Sequence, residues 1–577
     1  MNMSNKFVNL CAFLLLTTML VTSILSMKND SATMDELAHI PAGYSYLTHQ
    51  DYRINPEHPP LAKDLSALPL LFMNLNFPEE SSAWQNDVNG QWQLGTEFIY
   101  QSGNDADKII FWSRIPMIVL LILLGWLLFK FAKDFFNKES ALLVLALFSF
   151  SPSFIAHGRL VTTDIAATFG VVLATYFWLK FLTNPSKKSV ILAGLSLGTG
   201  LLMKFSLILL IPFFAVVTVA YALLNKKQFS RYALLALVSG LTALVFVITP
   251  VYLIHTVNYP AERQLSDTKE ILQSFPMESL KSICTWAADK PVVRAPGHYL
   301  LGLLMATQRT ASGNTGYFLG EISGSGWWYY FPTVFFLKVP LALHALAFLS
   351  FLLLLLKCVK ARFKGIKQWM RSHFAEFSMV VFLLIYWFVS INGKLNLGVR
   401  HVLPTFPFIY ILLSIGIVAA IKNSGPKLQK TLVVLLSLLL GWYVASSITC
   451  FPFYLSYFNE IGGGYMGGYE YVVDSNYDWG QDLKRLRNFV EENDIERIRL
   501  EYFGGGNPEY YLKDRYLKLN PEDKYVSGWV AISVNQLQGG SGNPAPGYDQ
   551  PTGYYNWLKE QTPVARAGTS IFIYYLE

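Results

Sequence analysis

Three short stretches of this 577-residue chain place acids and bases close enough to act together. The first is Asp35-Glu36-Leu-Ala-His39. The second is Tyr52-Arg53-Ile-Asn55-Pro56-Glu57-His58-Pro59-Pro60-Leu61-Ala-Lys63, and the third is His157-Gly-Arg159-Leu-Val-Thr-Thr-Asp164. Cations accompany them: Lys204 between two apolar blocks, Arg400-His401 just before another, and His58 and Lys63 inside the second stretch. A carboxylate at a membrane boundary can take the proton of a hydroxyl as it attacks an activated sugar. If the leaving group is a lipid phosphate, that reaction also needs cationic donors. A lone charge such as Lys204 within apolar sequence is costly, which makes it a functional suspect.

The elements that must position these residues are membrane spans. Hydrophobic residues make up 53% of the chain, and they come mostly in long blocks. At roughly 18 to 25 residues each, such blocks suffice to cross about 30 Å of hydrocarbon. The expected spans are 7–26, 109–130, 139–156, 162–182, 189–203, 205–224, 232–254, 332–356, 377–391, 403–421 and 431–449. Every second loop is basic, carrying Lys130, Lys133 and Lys138; Lys180, Lys187 and Lys188; Lys226, Lys227 and Arg231. The pattern continues with Lys357, Lys360, Arg362, Lys364, Lys367 and Arg371, then Lys422, Lys427 and Lys430. By the positive-inside rule these loops and the N-terminus are cytoplasmic. The loops at 27–108 and 255–331 and the tail from 450 are then outside, provided that Lys204 marks a true break. The net charge of +7 is thus a topology signal and not a nucleic-acid footprint.

The expected organisation is a polytopic α-helical membrane domain over 1–449 with about eleven spans, followed by a small extracytoplasmic α/β domain over 450–577. In the tail, Glu470–Val473, Arg497–Phe503, Trp529–Val534 and Ile571–Tyr575 read as strands, and Gln481–Glu492 as an amphipathic helix. A loop rich in Gly and Pro occupies 539–553. Cys11 and Cys358 fall in or beside spans, whereas Cys284 and Cys450 both fall outside, which leaves a disulfide between them open. The segment 7–26 behind Lys6 suits either a signal peptide or a retained anchor, and its length favours the anchor.

The segments D-E-L-A-H-I-P-A-G-Y (35–44) and P-E-H-P-P-L-A-K (56–63) resemble the first outer loop of glycosyltransferase C superfamily enzymes. The relatives in question are the protein O-mannosyltransferases and the lipid A aminoarabinose transferases. The resemblance extends in order through T-T-D (162–164), L-L-M-K (201–204), W-W-Y-Y-F-P (327–332), L-K-V-P (337–340) and G-V-R-H-V-L-P (398–404). The segment D-S-N-Y-D-W-G-Q-D-L (474–483) is similar to a stretch in bacterial members. This resemblance implies that Asp35 activates the acceptor, with Glu36 as its motif partner and Asp164 as the second acid. It implies that Lys204, Arg400, His401, His58 and Lys63 serve the donor phosphate. His58 stands where aminoarabinose transferases carry a lysine, and histidine is largely neutral at pH 7. The resemblance to some relatives also leaves open a divalent metal between Glu57 and His298.

The expected activity is transfer of a sugar from a polyprenyl-phosphate donor to a protein, lipid or glycan acceptor outside an inner (plasma) membrane. A single displacement with one base implies inversion at the anomeric carbon. The bacterial look of the tail favours an undecaprenyl carrier, and the tail is well placed to recognise the acceptor. Other readings fit the same residues. A lipid-phosphate transporter or flippase would use the same cations, although the repeats of transporters are not evident; a non-catalytic scaffold would leave the acid pair unexplained. Asp35-Glu36 also suits a helix N-terminus, Asp164 a helix cap and Lys204 an interfacial lysine. Arg400-His401 and Trp327–Phe331 also suit membrane-interface anchors. Gly462–Gly464 and Gly504–Gly506 lack the phosphate-loop pattern and read as points of backbone freedom. Asp474–Leu483 reads as a turn capping the helix that follows.

Overall fold

All eleven apolar blocks are helical in the computed structural model, which describes residues 3–360, 365–523 and 526–577, without the side chains of 356–360. Lys357, Cys358, Lys360, Arg362 and Lys364 from the expectations above lie outside the described side chains. Eight helices are long and apolar enough to cross a membrane alone, and two bent pairs bring the described spans to as many as ten. The expected fifth span is the helix Lys187–Leu201, with only 15 residues. At 1.5 Å per residue it is about 22 Å long, short of the hydrocarbon thickness. Packed between Thr163–Thr183 and Phe229–Ala243, it still runs from the Lys180 end of the bundle to Lys204 beside Asp164 at the other, so it makes a further passage beside the up to ten candidate spans among the described residues.

The two bent pairs break at prolines. Lys138–Ser149 meets Pro152–Gly158 at 62°, and Tyr330–Lys338 meets Leu341–Leu355 at 107°. Pro152 supplies a first helical residue that needs no N–H donor. Val339, just before Pro340, is extended (φ −105°, ψ 136°), the backbone that a following proline enforces.

Thr163–Thr183 joins the two polar ends of the bundle. Lys180 at its C-terminal end approaches Asp134, which also takes Lys130 and the Tyr176 hydroxyl. Lys422 pairs with Glu139, Arg371 donates to Asn225, and Lys138 donates to the Met3 carbonyl. The basic loops thus gather at one end of the bundle. Asp164 opens the same helix sixteen residues earlier, about 24 Å away along the axis.

At that second end lie the helix Met34–His49, the helices of 255–331 and the tail. The tail builds a five-stranded sheet from β3 (Ile498–Glu501), β4 (Tyr516–Lys518), β5 (Gly528–Ser533), β7 (Ala565–Ala567) and β8 (Ile571–Leu576), in the order β4-β3-β5-β8-β7. β3 runs parallel to β4 and β5, while β8 is antiparallel to β5 and β7. A second, three-stranded sheet joins β1 (Gly316–Phe318), β2 (Glu321–Ser323) and β6 (Asn543–Pro544), so the tail pairs with the loop before Tyr330. Glu470–Val473 is not a strand of either sheet. Gly468–Glu470 is a 3-10 turn, and Val472 makes one isolated bridge to Phe318. Cys284 and Cys450 are both free and buried in separate apolar clusters, so no disulfide joins them.

Three acids and three arginines form a buried charge network where tail and bundle meet. Arg114 donates to both oxygens of Glu36 at 2.6 and 2.8 Å and to the carbonyls of Asp30 and Ser31. Asp30 takes Arg159 at 3.0 Å and the tail's Arg485 at 2.8 Å, and Arg485 also reaches Asp482. Burial alone would raise the Asp30 pKa, yet Arg159, Arg485 and Arg114 hold it below the usual carboxylate range. Arg114→Ala would leave Glu36 charged with 0% exposure. It should cost about 3–5 kcal/mol in denaturation of the purified protein. Lys108→Ala, which breaks an ion pair whose lysine is 69% exposed, should change stability little; equal losses would contradict this account of the network.

Candidate active site

Neighbouring residues on a helix point about 100° apart, so the acid pair at the start of Met34–His49 divides. Glu36 turns inward. Besides Arg114, it accepts from the Thr33 N–H and hydroxyl and from the Val161 N–H. This is a helix-capping and packing role for Glu36, as its position in the first turn also suggested. Asp35 turns the other way, keeps 23% of its side chain exposed and accepts from Arg400 Nη1 at 2.7 Å.

Arg400 is shared. The same nitrogen lies 3.4 Å from Asp164, whose other oxygen takes Lys204 at 2.6 Å. Asp164 is fully buried, Arg400 8% exposed and Lys204 14% exposed. Lys204 owes its place to a single extended residue (φ −161°, ψ 139°) between Lys187–Leu201 and the 3-10 turn Phe205–Leu209. Arg400 stands in the 3-10 turn Val399–Thr405 that opens the next-to-last span. Two acids and two cations from four separate segments therefore meet at one end of the bundle. The pairs are buried enough for strong coupling, and one acid, Asp35, remains partly open to solvent.

The other expected residues divide. His401 follows Arg400, with its ring stacked near Phe331 at 6.3 Å. His58 lies edge-on to His39 at 5.2 Å. Burial, with His39, Lys63 and Lys204 nearby, pushes the His58 pKa well below its ordinary value, so it supplies no fixed positive charge. Lys63 is a correction. Only 1% exposed, its ammonium donates to the Tyr46 hydroxyl, Asn55 Oδ1 and the Asn55 and His58 carbonyls, so it holds the loop together and has no donor left for a phosphate. Glu57 and His298 have separate surroundings. Glu57 takes the amides of Asn89 and Gln91, while His298 sits among the rings of Tyr52, Tyr252 and Tyr259. Among the described residues no three His, Cys, Asp or Glu side chains form a group that could hold a metal.

Several residues at the site had no role assigned to them from the sequence. His39 follows Asp35 by one helical turn, a spacing that puts both on one face. Its Nδ1 lies 2.9 Å from the Val161 carbonyl and so carries the proton. The tail supplies more. Arg400 Nε donates to Ser475 Oγ at 3.0 Å, and the guanidinium lies 4.2 Å over the Trp479 ring. Asn476 accepts from the Val399 N–H, and its carbonyl takes Lys338 from the 107° break. Gly398 makes this approach feasible, because a Cβ there would lie 2.4 Å from Ser475 Oγ. Gly505 similarly lets the tail reach the Met34–His49 helix, since its Cβ would lie 2.2 Å from the Thr33 carbonyl. Asp474–Leu483 is thus not the helix cap expected of it. Asp482, at the N-cap of Leu483–Glu492, makes no capping bond and accepts instead from the Thr569 and Ser570 N–H groups.

Burial pushes the Asp474 carboxyl up to about 6, against the pull of Arg400 and with repulsion from Asp35. The folded protein then keeps a proton that the unfolded chain releases near pH 3.9. Stability should fall as pH rises from about 4 to about 6 and level off above that. Asp474→Asn retains an oxygen for the Ser475 N–H that Asp474 now holds. Its melting temperature should gain on that of the wild type across the same window; a gap that does not change with pH would contradict the shift.

Residues 12–265 match the family model described as "Dolichyl-phosphate-mannose-protein mannosyltransferase". A search of curated proteins finds no match. Among solved structures, the archaeal oligosaccharyltransferase AglB from Archaeoglobus fulgidus is 9% identical at a TM-score of 0.49, over 92% of this chain and 71% of that one. ArnT from Cupriavidus metallidurans is 12% identical at 0.33, over 97% of both chains. The S. cerevisiae protein O-mannosyltransferase Pmt1-Pmt2 complex is 17% identical at 0.34, over 45% of this chain and 34% of that one. These likenesses are loose, and the assignment rests on the family model. Residues 12–265, somewhat under half of the chain, thus carry the similarity to that family's domain.

Proposed function

We propose that this protein transfers a sugar from a polyprenyl-phosphate donor to a hydroxyl acceptor on the extracytoplasmic face, with inversion at the anomeric carbon. The observation that carries this reading is Arg400 shared between Asp35 at 2.7 Å and Asp164 at 3.4 Å, with Lys204 on the far side of Asp164. The family name, with its dolichyl-phosphate-linked sugar, supports the donor class. The gathering of basic loops at the opposite end of the bundle supports an outside site and an inside N-terminus.

The acceptor oxygen attacks the anomeric carbon, the bond from that carbon to the phosphate oxygen breaks, and the lipid phosphate leaves. Asp35, exposed enough to meet an acceptor, takes the hydroxyl proton. Arg400 and Lys204 receive the charge that develops on the phosphate. Asp164 meets no solvent, so it orients the two cations instead of touching the acceptor. Glu36 fixes the helix that presents Asp35. His401 and the neutral His58 line the same end, where each has one N–H to offer a phosphate oxygen. A single base and a single displacement give inversion. The acceptor is a protein, lipid or glycan, and the carrier is undecaprenyl if the host is bacterial.

Asp35→Asn retains an oxygen for Arg400 but cannot take a proton. Incubated with defined lipid-linked sugars and candidate acceptors, it should fold normally and lose about 10²- to 10⁴-fold in transfer rate, read by mass spectrometry of the product. Near-wild-type transfer would remove Asp35 as the base.

A further inference from the structure

The segment 474–483 touches both halves of the acid–cation pair. Towards Arg400, Ser475 Oγ receives Nε at 3.0 Å and sends its own proton to the Leu397 carbonyl at 2.7 Å, which leaves a lone pair facing the guanidinium. Trp479 covers the guanidinium from one side at 4.2 Å. Towards Asp35, the Trp479 carbonyl accepts from the Met34 N–H at 3.1 Å, in the first turn of the helix that carries the acid. Ser31 is tied to the same segment three times, through the Gln481 and Gly480 carbonyls and the Leu483 N–H. The segment is itself clamped. Lys338 donates to the Asn476 and Leu455 carbonyls at 2.6 and 2.7 Å, and Asn476 bonds the Tyr330 hydroxyl at 2.9 Å.

We propose that Ser475 and Trp479 are positioning residues for Arg400. On this account the tail is a structural half of the donor-phosphate site, and acceptor recognition is not its sole task. Holding Nε and one face leaves only the two terminal nitrogens free to respond, and one of these carries both acids. A guanidinium held at Nε and Nη1 presents its remaining nitrogen, Nη2, to a phosphate in a fixed direction, whereas an unheld one loses rotamer freedom on binding. The inference rests on the reading of Arg400 as a phosphate ligand, and the test separates the two.

Binding of undecaprenyl phosphate and of dolichyl phosphate is measured on the full chain in nanodiscs, for wild type, Ser475→Ala and Trp479→Phe. Ser475→Ala removes one hydrogen bond to a charged group without adding bulk, so affinity should fall about 10-fold. The KM for donor should rise in step while the KM for acceptor stays put. Trp479→Phe keeps a ring under the guanidinium and should weaken binding less. Wild type that binds neither lipid phosphate overturns the reading of the site, and the inference with it. Wild type that binds, with a folded Ser475→Ala that binds equally well, overturns the inference alone. Reduced thermal stability with unchanged affinity would count against it in the same way, since that is the mark of a merely structural role.

Discussion

Arg400 is held from every side, and the architecture is arranged around holding it. Its partners come from the loop after the first span (Asp35), the start of a buried span (Asp164) and the tail (Ser475 and Trp479). A guanidinium only 8% exposed cannot be left unpaired without a large desolvation cost. The sequence distance between Asp35 and Arg400, 365 residues, therefore closes in space. The helix breaks beside Lys204 and Lys338 follow the same logic, because each ammonium there meets an acceptor: Asp164 for Lys204, and the Asn476 and Leu455 carbonyls for Lys338.

Behind this site the charge network of Asp30, Glu36 and Asp482 with Arg114, Arg159 and Arg485 locks tail to bundle. It balances three negative and three positive groups, so the junction is buried without net charge. Such a network is a poor source of net stability but penalises any misplacement heavily, because one lost partner strands a buried charge. That suits an element whose task is to fix the angle between Asp35 and Arg400.

The spans and the polar stretches were legible in the sequence because each is a local signal. Block length gave the helices, and the alternation of basic loops gave ends that the fold brings together, as with Lys180 near Asp134 and Lys422 on Glu139. The shortness of the helix at 189–203 was not legible, because an apolar block does not by itself reveal that a helix stops after fifteen residues. Lys63 was misread because its type suggested a phosphate ligand, while four acceptors brought by loop folding decide its role. The part played by Ser475 and Trp479 was illegible for a different reason. Their contacts depend on tertiary approach at Gly398 and Gly505, and nothing in the spacing of the tail announces them.

The account stands or falls on where the donor's phosphate sits. A structure of the protein in nanodiscs with a polyprenyl-phosphate sugar bound would locate it directly. The phosphate oxygens should lie within hydrogen-bond distance of Arg400 and Lys204, with the anomeric carbon facing Asp35. A phosphate bound elsewhere, with the contacts between Arg400 and both acids undisturbed and Asp35 remote from the sugar, would contradict it.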